Sequence, residues 1–131
     1  MLKILIAATA FMAMPATAEE LTAEEPTGTI IIYRGGSVIG AAVACPVRYQ
    51  GKEIVELGRG KYTEWPVAAG RYILTNKTAS VEVSVSPGET RYVRCQIKTG
   101  FMSGRADLQI VDQESFEEAK SHLERKDIAT Q

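Results

Sequence analysis

The chain has 131 residues, 45% of them hydrophobic and 24% charged, with 15 Lys/Arg against 16 Asp/Glu and a formal net charge of −1. That composition excludes an intrinsically disordered chain, and the near-neutral balance gives no ground for a nucleic-acid partner. With one His and two Cys, there is little material for metal or nucleophile chemistry.

The chain opens "MLKILIAATAFMAMPATAEE". One Lys precedes an apolar run at residues 4–14, and Pro15 and Ala16-Thr17-Ala18 follow. A basic start, an apolar centre and small residues at −3 and −1 predict a secretory signal peptide over residues 1–18, cut between Ala18 and Glu19. The apolar run is shorter than the about 20 residues that span a bilayer, which argues against an uncleaved anchor. No Cys follows the run, so no lipid anchor is expected there. The short signal is of bacterial type, and the expected location is the periplasm or outside the cell. No membrane span is expected after cleavage.

Residues 19–27, "EELTAEEPT", predict a flexible acidic leader. Residues 28–112 form the predicted β-domain. "TIIIYR" (29–34) is apolar on both faces and predicts a central strand. "VIGAAVACPVRYQ" contains Pro46, which cannot donate to a ladder, so this strand lies at an edge or carries a bulge. Gln50-Gly51 and Gly58-Arg59-Gly60 read as hairpin-type connections on either side of "KEIVEL". In "SVEVSVS", Val81, Val83 and Val85 share one face. "SPGET" is a Pro-Gly turn. In "RYVRCQIK", Val93, Cys95 and Ile97 point inward, and Tyr92, Arg94 and Lys98 point outward as a contact strip or a solvated face. "ADLQIV" is the last strand. Residues 113–126 predict a helix packed on one edge of the sheet, with Asp112 as N-cap and Phe116, Ala119 and Leu123 on one face. Residues 127–131 are a tail.

This order predicts an all-β fold: a small antiparallel β-sandwich, Ig- or transthyretin-like, of about eight strands with one C-terminal α-helix. A partly closed barrel is the alternative. Charge is uneven along the domain. From residue 34 to 105 there are 11 Lys/Arg against 5 Asp/Glu, net +6, and from residue 106 onward 7 acids against 3 bases, net −4. A basic middle can attract anionic polymers, or its charges can simply be solvated.

Cys45 and Cys95 each share a strand face with apolar residues, and an even Cys count in an exported chain predicts a disulfide between them. The competing reading is two buried free thiols. In "TGFMSGR", Phe101, Met102 and Arg105 are the best candidates for a contact loop; the simpler reading, which the residues favour, folds Phe101 back over the end of the sandwich. Tyr49, Tyr62, Trp65 and Tyr72 read as packing aromatics. His122 has Glu118 four residues earlier, which permits a surface pair and does not make a zinc site. No catalytic residue, metal site or cofactor is expected, because no G-x-S-x-G, H-E-x-x-H or Walker loop occurs.

The ordered set "YR" (33–34), "V-x-Y-x-G-K-x-I" (47–54), "G-K-Y" (60–62), "V-A-A-G-x-Y" (67–72), "PGET-x-YVR" (87–94) and "G-F-x-x-G-R" (100–105) resembles a family of small bacterial envelope β-domains, domain of unknown function twenty-eight forty-six. A more distant similarity is to PEGA-type surface modules. The resemblance implies a fold and a compartment and implies no reaction. The functional expectation is a non-catalytic exported β-domain that binds an envelope protein or an anionic polymer. The alternatives are a structural or stress-related envelope protein without a specific ligand, and an uncharacterised hydrolase. Nothing in the sequence sets an oligomeric state.

Overall fold

The computed structural model describes residues 27–36, 44–77, 79–99 and 104–129. Within these, the order is β1 (Gly28–Arg34), β2 (Cys45–Tyr49), β3 (Lys52–Leu57), β4 (Lys61–Val67), β5 (Gly70–Thr75), β6 (Ser80–Val85), β7 (Thr90–Thr99), β8 (Gly104–Val111), α1 (Gln113–Lys120) and β9 (Glu124–Arg125). The strands form a five-stranded sheet, β8-β7-β1-β4-β9, and a four-stranded sheet, β3-β2-β5-β6. The two sheets pack as the expected sandwich. The signal, the cleavage site at Ala18 and Glu19, and Phe101 and Met102 lie outside the described residues. None of the described helices is long and apolar enough to cross a membrane.

β1 sits at the centre of its sheet, as its two apolar faces predict. Ile30 and Ile32 enter the core between the sheets, while Ile31 and Tyr33 enter a second core with Phe116. β1 runs antiparallel to β4 but parallel to β7, and β9 adds parallel to β4. The five-stranded sheet is therefore mixed rather than wholly antiparallel. Alternation in a strand marks its faces and carries no information about the direction of its neighbours.

The turn at Gly58–Gly60 corrects a sequence expectation. It joins β3 and β4, which lie in different sheets, so it is a crossover and not a hairpin. Three residues reach about 10 Å, the distance between packed sheets, as easily as they reverse a strand within one. Its backbone bonds go elsewhere: the Gly60 N–H donates to Gly35 and the Glu124 N–H donates to Gly60. Gln50-Gly51, by contrast, is a true hairpin, with Tyr49 paired to Lys52.

Pro46 is accommodated as its missing N–H requires. The described β2–β5 pairing covers only Arg48 and Tyr49, so Pro46 lies beyond that ladder. A bulge follows at once, because Val47 faces Val55 whereas Arg48 faces Glu53. Ile54 is the extra residue, and the bulge lets neighbours Ile54 and Val55 both be buried.

At one end of the sandwich, Cys95 pairs with Arg34 in one sheet and Cys45 pairs with Leu57 in the other. The Cys45–Cys95 disulfide joins these two pairs across the core, with Cα atoms 6.6 Å apart. Beside it the Arg34 Nη1 donates to the Leu57 carbonyl at 3.2 Å. Burial draws the Arg34 guanidinium below its ordinary value. Between the sheets Thr63 is fully buried, and its hydroxyl has no hydrogen-bond partner among the described residues. Thr63→Val is expected to raise the unfolding free energy by about 1 kcal/mol in urea titrations, because it removes an unmet polar group at nearly constant volume. An unchanged or lower midpoint would overturn that account.

Asp112 caps the helix, accepting from the Ser115 N–H at 2.9 Å, and this bond holds its carboxyl below the usual range. The helix crosses the face of the five-stranded sheet rather than its edge. The Phe116 ring lies 5.3 Å from Tyr33, 5.5 Å from Tyr62 and 5.5 Å from Tyr92. The face carrying Tyr92 and Arg94 is thus partly roofed and is not an open contact strip; Arg94 Nη2 donates to Gln109 Oε1 at 2.9 Å.

The helix ends at Lys120, six residues short of the predicted 126. A tight turn follows, in which the His122 N–H donates to Ala119 and the Leu123 N–H donates to Lys120. The chain then pairs Glu124–Arg125 with Lys61–Tyr62 on the outer edge of β4. Its continuation reaches the other sheet, with the Ala129 N–H donating to Ile54 and Lys126 Nζ donating to the Glu56 carbonyl, both at 2.7 Å. The stretch expected as helix end and tail is a strap. It covers one outer edge of each sheet, where unpaired backbone would otherwise remain.

Candidate functional site

At the end of the sandwich opposite the disulfide, three half-buried aromatics form a triangle. Tyr49 closes β2, Trp65 lies on the inner face of β4 opposite Ile30, and Tyr72 lies on β5. The ring centroids are 5.4 Å apart for Tyr49–Trp65, 5.3 Å for Tyr49–Tyr72 and 5.5 Å for Trp65–Tyr72, all edge-on or tilted. The Tyr72 hydroxyl donates to the Ala68 carbonyl. Burial, and then the neighbouring Tyr49, push that hydroxyl above its ordinary value, so it stays neutral and fixed.

Tyr49 and Trp65 also line a cleft of about 340 Å³, together with Gln50, Lys52, Ile54, Ile128 and Ala129. The floor is aromatic and aliphatic. The two exposed side chains are the Gln50 amide and the Lys52 ammonium. The bulge turns Ile54 towards the cleft, and the strap brings Ile128 and Ala129 to close its side. Flat apolar rings beside one amide and one cation suit binding of a ring-sized polar ligand. Among the described lining residues there is no His, Cys, Asp or Glu.

A broader groove of about 690 Å³ lies at the helix C-terminus, lined by Gly36, Arg59, Gly60, Ala119, His122, Leu123 and Glu124. Its charged groups are engaged within the protein. Arg59 Nε donates to the Gly36 carbonyl at 2.8 Å, and Glu124 pairs with Lys61. The Lys61 hydrogen bond and charge hold the Glu124 carboxyl below its ordinary value. His122 is exposed at the rim. Among the described residues no group of three or more His, Cys, Asp or Glu could hold a metal.

Of the residues singled out in the sequence, Cys45 and Cys95 are bonded to each other. Arg105 stands opposite Lys98, one pair from the loop end of the β7–β8 hairpin; Phe101 and Met102 lie outside the described residues. The aromatics read as packing groups divide. Tyr62 packs beneath the helix, whereas Tyr49, Trp65 and Tyr72 pack on the core between the sheets, and Tyr49 and Trp65 also line the cleft. Gln50 and Lys52 were legible only as turn and strand start. The available signal was a Gln where a two-residue hairpin favours Asn or Gly.

No curated protein and no solved structure matches the chain. Residues 24–108 match a family described as protein of unknown function DUF2846. That segment contains the disulfide and the cleft residues from Tyr49 to Trp65, while the helix and the strap lie beyond it. The PEGA-type rhythm stays a likeness of sequence. On a match covering more than half of its length, the chain belongs to the DUF2846 family of proteins of unknown function.

Proposed function

We propose that the protein is an exported, non-catalytic binding module that holds an anionic polymer of the cell envelope in the Tyr49–Trp65 cleft. The observation that carries this reading is the cleft itself, with two aromatic rings beside an exposed ammonium at Lys52. The signal-type start supports export, and a disulfide across the core suits an oxidising compartment. A cleft of about 340 Å³ is near the lower end for small-ligand sites, so it takes one unit of the polymer.

The test is co-sedimentation of the purified protein with insoluble polymer prepared from bacterial envelopes. The wild type pellets at low salt and is released as salt rises. Lys52→Glu binds about tenfold more weakly, corresponding to 1.4 kcal/mol. Trp65→Leu weakens binding without removing the salt dependence of what remains. Sedimentation of Lys52→Glu equal to that of the wild type overturns the proposal.

A further inference from the structure

We infer that Gln50 selects the bound unit and that this unit is a sugar ring carrying an acetamido group. The inference rests on the cleft being the binding site. It starts from backbone conformation. Gln50 has φ +54° and Gly51 has φ +81°, in a two-residue turn whose flanking residues Tyr49 and Lys52 pair. Positive φ at both central positions is the type I′ pattern, which favours Asn-Gly. Among the described residues Gln50 is the sole non-glycine with positive φ. Asn tolerates this conformation through its short side chain, which bonds locally; Gln has no such compensation.

A turn serving only to reverse the chain would thus be better served by Asn. Backbone strain held at the mouth of a cleft points to a side chain kept for what it contacts. The extra methylene carries the Gln50 amide further from the turn. An amide offers a carbonyl acceptor and an NH₂ donor together. The complementary ligand group presents an N–H and a C=O side by side, as an acetamido group does, and its methyl suits the apolar lining of Ile54 and Trp65. The Trp65 and Tyr49 rings are suited to the C–H face of a pyranose. Lys52 accommodates a nearby carboxylate, which links this unit to an anionic polymer.

The test compares binding of β-1,4-linked tri-N-acetylglucosamine and β-1,4-linked triglucose by titration of the purified protein. The wild type prefers the acetylated trisaccharide by about tenfold, the worth of one good hydrogen bond. Gln50→Asn brings the two affinities within about twofold and raises Tm by about 3 °C as the turn relaxes. A wild type without preference, or without binding to either trisaccharide, overturns the ligand class. A Gln50→Asn variant that keeps the preference overturns the role of Gln50. In each case the cleft reading stands if Lys52→Glu still weakens sedimentation with the envelope polymer, and falls with the inference if it does not.

Discussion

Removing the disulfide by Cys45→Ala/Cys95→Ala lowers the unfolding free energy by about 4 kcal/mol, the chain-entropy value for a closed loop of this size. The bonded residues are 50 apart in sequence, so the link restricts nearly half of the folded domain in its unfolded state. Urea titration of the variant and of the dithiothreitol-reduced wild type should give the same lowered midpoint. Alkylation under denaturing, non-reducing conditions should label neither Cys in the wild type. Labelling of both, or an unchanged midpoint, would falsify the account. Domains of this kind are stable by about 5–15 kcal/mol, so 4 kcal/mol is a large share. Such dependence on oxidation agrees with the proposed export. The hydrogen bond from Arg34 to the Leu57 carbonyl at that end places a charged group in a buried site. It orients the sheets without replacing the covalent link.

Phe116→Ala is expected to lower stability by about 3–5 kcal/mol, the usual range for removing a large buried aromatic. Phe116 is 2% exposed and contacts Tyr33, Tyr62 and Tyr92 at once. Its loss unroofs the outer face of the five-stranded sheet. Ala119 and Leu123 only border that cluster, so little else holds the helix down. Hydrogen exchange should show α1 and β9 losing protection before the central strands, because β9 pairs only two residues with β4. Phe116→Leu, which keeps most of the apolar volume, should recover most of the loss. A decrease below about 1 kcal/mol for the Ala variant would show that the helix is dispensable to the fold.

The strap links these effects to the cleft. Helix docking places residues 124–129, and their last members form one side of the cleft. A helix variant therefore acts on the cleft through the position of Ile128 and Ala129, although Phe116 packs on the opposite face of the sheet.

Much of the local structure could be read directly from residue order. The two apolar faces of "TIIIYR" placed β1 at a sheet centre. The alternation around Val83 and Val93 identified the inward residues, and the shared inward parity of Cys45 and Cys95 anticipated their bond. Asp112 announced the helix start. Each of these depends on a residue and neighbours within one turn or a few strand positions, so the determining physics is local. The assignment of strands to sheets was different. Gly58–Gly60 reads alike as hairpin or crossover, since three residues satisfy both geometries. The parallel pairing of β1 with β7 joins segments some 60 residues apart, and no local pattern encodes it. Glu124 and Arg125 continue a helical pattern in sequence, yet they become a strand because β4 offers an open edge. The cleft likewise exists only after the bulged β2–β3 hairpin, β4 and the strap converge. Its residues are ordinary one by one, and their chemistry comes from long-range packing that brings three separate segments to one end of the sandwich.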